Sequence, residues 1–166
     1  MQKNPAAVTG ATVGVIVLAL IIIVYQVMGG GGGSIQVGQA YFSSDDGATF
    51  FLDKATNIPP FQASDGKPAY RAHVYSCDGG KTKFVGYLER LSPAAKARQE
   101  EVSKNPDAAQ NATDDPISDG TFVKAPKTGN EDAKWVKRSS PAGLKIITTE
   151  IKCPGGAGNP TEVTAP

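Results

Sequence analysis

Two kinds of hydrophobic pattern divide the chain. From residue 4 to residue 44 there is no charged side chain, and residues 8–28 are predominantly apolar, densest at Val15-Ile16-Val17-Leu18-Ala19-Leu20-Ile21-Ile22-Ile23-Val24. As a helix this block spans roughly 31 Å, the hydrocarbon thickness of a bilayer, and a helix satisfies its own backbone groups in lipid. Tyr25 and Gln26 fall at one end, where an amphipathic ring suits the headgroup layer. Residues 1–28 therefore read as a single transmembrane anchor. A cleaved signal peptide fits less well: the block is longer than an h-region, and only Lys3 and the amino terminus precede it as charge. Gly10 and Gly14 have the GxxxG spacing that lets two helices approach, a weak case for a homodimer because glycine is common in such helices. Residues 29–38 read as a flexible tether, its opening five glycines and Ser34 spanning roughly 13 Å.

Beyond the tether the period changes to two, the signature of strands. Ala40-Tyr41-Phe42 and Thr49-Phe50-Phe51-Leu52 predict two short strands around a turn at residues 43–48. A loop through Asn57-Ile58-Pro59-Pro60-Phe61 and a turn at Ser64-Asp65-Gly66-Lys67 lead to a stronger hairpin. Its first strand covers residues 70–77, with Tyr70, Ala72 and Val74 on one face and Arg71, His73, Tyr75 and Cys77 on the other. Its second covers residues 83–89, after the Asp78-Gly79-Gly80 turn. Ser92-Pro93 is a helix start, serine as N-cap and proline in the first helical position. That helix runs to about Lys104 with few apolar residues, so it is expected on the surface.

Residues 39–104 thus form a β-rich core with one surface helix, and the acidic stretch 105–120 reads as a linker. Residues 121–153 are expected to rejoin the same domain through a weak strand at Thr121-Phe122-Val123 and a good one over residues 144–153. Residues 154–166 are expected to be a disordered tail. The expected architecture is one N-terminal transmembrane helix plus a small α+β, mainly antiparallel β, extracytoplasmic domain.

Charge adds an exclusion. The 17 basic and 16 acidic side chains nearly cancel, so the clustered basic face that a nucleic-acid binder needs is not expected. Lys3 before the block, and glycine then Asp45 and Asp46 after it, favour a cytoplasmic N-terminus and an extracytoplasmic domain. The localisation expected is the cell membrane, with the bilayer itself as one partner and an unidentified protein or envelope component as another.

Two cysteines, Cys77 and Cys153, are the whole thiol inventory. In an oxidising compartment they are expected to pair, stabilising the fold by roughly 4 kcal/mol on the chain-entropy estimate; in a reducing one they are two separate buried thiols.

One motif carries a known geometry. Ser43, Asp45, Gly47, Thr49 and Phe50 resemble the Asp-box, S-x-D-x-G-x-T-W, with phenylalanine for tryptophan. In sialidase-like propellers that motif is a structural hairpin turn, not a catalytic element, and the chain is too short for a propeller. A single copy is read here. Gly79-Gly80-Lys81-Thr82 imitates the end of a P-loop, but Tyr75 stands where its first glycine belongs and a strand follows instead of a helix.

Candidate chemistry is thin. His73, Cys77 and Cys153 are the only set resembling metal ligands, and they lack paired ligand spacing. His73 is the sole histidine available as a base, and no nucleophile elbow accompanies a serine. Asp45 and Asp53 are not distinguishable from turn residues. No cofactor, metal or catalytic residue is assigned, and an enzyme is not favoured.

Gly66-Lys67-Pro68-Ala69-Tyr70-Arg71-Ala72-His73-Val74-Tyr75 and Phe84-Val85-Gly86-Tyr87-Leu88-Glu89-Arg90, with Ile58-Pro59-Pro60-Phe61 and a fainter Ile151-Lys152-Cys153-Pro154, resemble uncharacterised membrane-anchored proteins of planctomycete bacteria. The resemblance implies the anchored architecture and no activity or site. The function expected is a membrane-tethered structural or interaction module, with exposed aromatics near Pro59-Pro60-Phe61 as a contact surface. The alternative is a small carbohydrate-binding or hydrolytic domain on the Asp-box hairpin, its pocket lined by Tyr41, Phe50, Tyr75 or Tyr87.

Overall fold

Turn chemistry, not core size, organises the β-rich domain. A computed structural model of the chain describes residues 38–105, 116–127 and 133–166, all within one unit, Val37–Pro166. The expected anchor with Gly10 and Gly14, almost all of the tether and most of the acidic linker lie outside the described residues. Among the described residues no helix is long and apolar enough to cross a membrane.

The strands are β1 (Gln39–Ser43), β2 (Phe51–Lys54), β3 (Phe61–Gln62), β4 (Pro68–Ser76), β5 (Lys83–Leu91), β6 (Thr121–Lys124), β7 (Val136–Lys137) and β8 (Thr161–Glu162). The helices are α1 (Pro93–Lys104), α2 (Pro116–Asp119) and α3 (Pro141–Thr148). The sheet runs β2-β1-β4-β5-β6-β7, with β3 and β8 also pairing β4. Every pairing is antiparallel, as expected of a domain built from hairpins. Tyr41 faces Leu52 in the first hairpin, and Tyr75 faces Phe84 in the second, so aromatic and branched side chains meet across each ladder.

Alternation decides what is buried. Ala72 and Val74 point into a core shared with Tyr41, Val85 and Leu88, while Phe42 leads a second cluster with Ala40 and Ala69. Phe42 and Leu88 are completely inaccessible. A third cluster, Tyr87, Val123 and Ile146, seats α3 on the sheet.

Helix α1 begins as expected. Ser92 accepts from the Ala95 amide and Pro93 follows it, and Ala95 is the helix's one buried residue.

Two expectations are corrected. Residues 144–153, read as a strand, form none: residues 144–148 belong to α3 and residues 149–153 follow it without regular structure. The signal was the same pair used by α1: Ser140 accepts from the Gly143 amide and Pro141 follows it. Once started, the helix places Gly143 and Ile146 on the sheet and leaves Leu144 exposed, a helical spacing that the alternation of Ile147, Thr149 and Ile151 had masked. Residues 154–166, read as a disordered tail, carry β8, and Val163 and Ala165 pack on the central cluster. Pairing with β4 supplies what composition did not show.

Gly143 tests the seating of α3. A Cβ there would lie 2.2 Å from the Lys137 carbonyl oxygen, whose backbone has nowhere to move. Helix propensity alone favours Gly→Ala by about 1 kcal/mol. The clash should reverse that sign, so Gly143→Ala is expected to lower the midpoint of urea unfolding; a raised midpoint would mean α3 does not dock on the strand that precedes it.

Candidate functional site

The turn read as Asp-box-like is closed from within by its own side chains. The buried Ser43 hydroxyl donates to Asp45 Oδ1 at 2.8 Å and accepts the Gly47 amide at 2.9 Å. Asp45 in turn accepts the Thr49 amide at 2.9 Å and the Thr49 hydroxyl at 2.6 Å. Phe50 stands edge-on to Tyr41, their centroids 5.2 Å apart. Gly47 has φ +87°, and a Cβ there would also sit 2.8 Å from Pro126.

A second copy follows. Ser76, Asp78, Gly80 and Thr82 repeat the spacing, and the bonds repeat with it. Ser76 Oγ donates to Asp78 Oδ1 at 2.8 Å, accepts the Gly80 amide at 2.8 Å, and Asp78 accepts the Thr82 amide at 2.9 Å. The correspondence extends into the strands: Phe42–Phe51 and Tyr75–Phe84 have centroids 6.2 and 6.3 Å apart, both tilted 35°. The reading of a single copy is therefore corrected to two. The signal was present as S-x-D-x-G-x-T from Ser76, hidden because Gly79-Gly80-Lys81-Thr82 invited comparison with a P-loop.

The two copies are anchored differently. In the first, Asp46 takes φ +61° and pairs with Lys124, while its carbonyl accepts the Lys127 amide at 2.9 Å. Lys124 is buried, its ammonium 5.3 Å from the centroid of Trp135. In the second, the position after the serine is Cys77, which forms a disulfide with Cys153, Cα to Cα 5.9 Å. Cys153, expected at the end of a strand over residues 144–153, lies instead in the segment that follows α3, and the bridge holds that segment to the second turn.

Polar chemistry gathers at His73. Its ring stacks on Tyr87, centroids 4.1 Å apart and 10° from parallel. Nδ1 lies 2.8 Å from Glu162 Oε1 on β8, and Nε2 lies 3.7 Å from Glu89 Oε2 on β5. The second distance is an ion-pair approach and not a hydrogen bond, so Nε2 is buried without a hydrogen-bond partner. Arg138 holds the same Glu89 oxygen at 2.8 Å. Burial works to raise the Glu89 carboxyl, but His73, Arg138 and Arg71 outweigh it and bring it below the ordinary carboxylate range. Burial and the neighbouring Tyr75 push the Tyr87 phenol up.

The two carboxylates approach opposite nitrogens of His73, so they cannot share one ion with it. Among the described residues no group of three His, Cys, Asp or Glu side chains is placed to hold a metal. A cleft of about 380 Å³ opens beside His73, bounded by Tyr41 and Arg71 on one side and by Glu162 and Val163 on the other.

The aromatic residues expected to line a sugar pocket are not available as a platform. Tyr41 and Tyr87 are buried, and Phe50 and Tyr75 pack against core clusters. At the contact surface expected at Pro59-Pro60-Phe61, Pro59 is buried and Phe61 stands edge-on to Phe42 at 4.9 Å, while Pro60 is half-buried and lines a cleft of about 430 Å³ with Arg90, Pro93 and Phe122.

No protein-family model, curated protein or solved structure matches the chain.

The turns make acid stability a readout. The Thr82 backbone N–H, with the Thr82 and Ser76 hydroxyls, holds the Asp78 carboxyl at about 2, against an ordinary 3.8. A folded value below the unfolded one stabilises the fold above the unfolded value, and that contribution disappears as pH falls through the folded value. Asp78→Asn should therefore lower Tm near neutrality, with the gap to the parent narrowing between pH 3.8 and about 2. A gap that stays constant across that window would show that the Asp78 charge does not hold the turn.

Proposed function

We propose that the chain is a single-pass membrane protein whose β domain works outside the cytoplasm as a tethered interaction module. Residues 8–28 serve as the anchor and residues 29–38 as the leash, with the N-terminus cytoplasmic. The observation that carries the compartment is the Cys77–Cys153 bridge, because such bonds persist in oxidising surroundings. The resemblance to membrane-anchored planctomycete proteins points the same way.

The chemistry of the polar groups supports interaction over catalysis. Asp45 and Asp78 are saturated by donors of their own turns. His73 links β8 to the sheet through Glu162. The carbohydrate-binding or hydrolytic alternative has less to build on, since Tyr41 and Tyr87, which it needs exposed, lie in the core.

The test is fractionation combined with thiol mapping in intact cells. The full chain should resist alkaline carbonate extraction, and a membrane-impermeant maleimide should label it only after an impermeant reductant has opened the bridge. Release by carbonate removes the anchor. Labelling without reduction removes the bridge, and labelling only after permeabilisation removes the extracytoplasmic placement.

A further inference from the structure

The sheet is split beside β4. Strand β1 registers against it only at Tyr70 and Arg71, and β8 only at Tyr75 and Ser76. Neither is registered against Ala72 or His73, and the cleft of about 380 Å³ lies at that gap. The chain's own C-terminal strap enters it. The Val163 amide donates to the Val74 carbonyl at 2.8 Å, Glu162 reaches His73, and Val163 and Ala165 complete the cluster of Tyr41, Ala72 and Val74.

The strap is held by little and hinged by much. Two registered pairs, the Val163–Val74 backbone bond, one ion pair and two small apolar side chains fasten it. Upstream, the disulfide fixes Cys153, and the exposed run Pro154-Gly155-Gly156-Ala157-Gly158-Asn159 connects that fixed point to β8. Its glycines adopt φ of +88°, +77° and +100°. Neither the bridge nor the hydrogen bonds that close the two hairpin turns are made by residues 160–166, so release of the strap would leave them in place.

We propose that this split edge of β4 is a peptide-binding groove of the strand-addition kind, occupied in the free chain by its own C-terminal strap. The partner it fits is an extended segment with a carboxylate side chain followed by apolar side chains one and three positions on. That pattern is read from Glu162, Val163 and Ala165, which fill the groove now. Main-chain pairing with β4 supplies affinity, and His73 with the apolar floor supplies selection. Because the strap is tethered, it competes at millimolar effective concentration and suppresses binding until it is displaced.

This inference rests on the interaction-module reading but not on the anchor, which carbonate extraction tests separately. The full chain in detergent, parent and Glu162→Gln/Val163→Asp variant, is titrated against a fluorescein-labelled peptide of residues 159–166. Fluorescence anisotropy should show the variant binding roughly a hundredfold more tightly than the parent. The same peptide carrying Val163→Asp should bind neither. Equal, weak binding by parent and folded variant overturns the proposal, as does undiminished binding of the altered peptide. If the variant does not fold, hydrogen exchange on the parent decides. Amides of residues 161–165 should exchange well ahead of those of Tyr87 and Leu88. Exchange at a common rate would make the strap part of the global fold and overturn the groove.

Discussion

The structure depends on a carboxylate closing a hairpin turn from within, done twice. Asp45 and Asp78 each gather a serine hydroxyl behind them and a threonine amide ahead. The buried serine hydroxyls also accept glycine amides, so polar groups drawn under the turn are satisfied rather than orphaned. Such a turn has one register, and register decides which side chains reach the core. A one-residue slip in the first hairpin would turn Tyr41 and Phe42 each to the opposite face. With so few large apolar residues, no alternative core would compensate.

What differs between the copies shows how one hairpin serves two places in a sheet. The first turn is pinned by charge: Lys124 is buried and meets Asp46, with the Trp135 ring over its ammonium. A buried ammonium without that carboxylate would be strongly unfavourable, so the pair ties the turn to β6. The second turn uses a covalent bond at the neighbouring position. Cys77 reaches Cys153 and draws in the chain that follows α3. A closed loop of that length stabilises the fold by roughly 4 kcal/mol in the chain-entropy model, comparable to a large part of a small domain's margin. Each device recruits a later part of the chain to a hairpin that cannot bury its faces alone.

The hairpins were legible in the sequence because alternation and turn residues agreed, at residues 40–52 and again at residues 70–89. The pair Cys77 and Cys153 was legible as a candidate, conditional on compartment. Failure came where two periods overlapped. Ile147, Thr149 and Ile151 alternate as a strand would, yet Ser140-Pro141 starts a helix that carries Ile146 and Ile147 to the sheet. The tail failed for another reason. Glu162, Val163 and Ala165 have no pattern strong enough to predict a strand, and only the unpaired edge of β4 gives them one. Such tertiary pairing leaves no local trace. The second Asp-box-like turn keeps the serine, aspartate, glycine and threonine offsets of the first, but Lys83 stands where the first has Phe50, so the pattern is incomplete in the sequence.

The His73 centre and the strap constrain each other. Val163 and Ala165 lie over Tyr41, Ala72 and Val74, so a strap that simply opened would bare the floor of the central cluster. Exposed apolar surface of that kind favours replacement over opening. His73 is arranged for the same end. Glu89, kept charged against its burial by His73, Arg138 and Arg71, lies on the Nε2 side and on β5, not on the tail. With Nε2 facing Glu89, Nδ1 is the nitrogen turned toward the groove, where the Glu162 carboxylate sits. The Tyr87 ring fixes the plane of the imidazole, so the direction from which a carboxylate must come is also set. An edge of sheet that fixes both the floor and the polar contact favours exchange of one strand for another of the same pattern over standing empty.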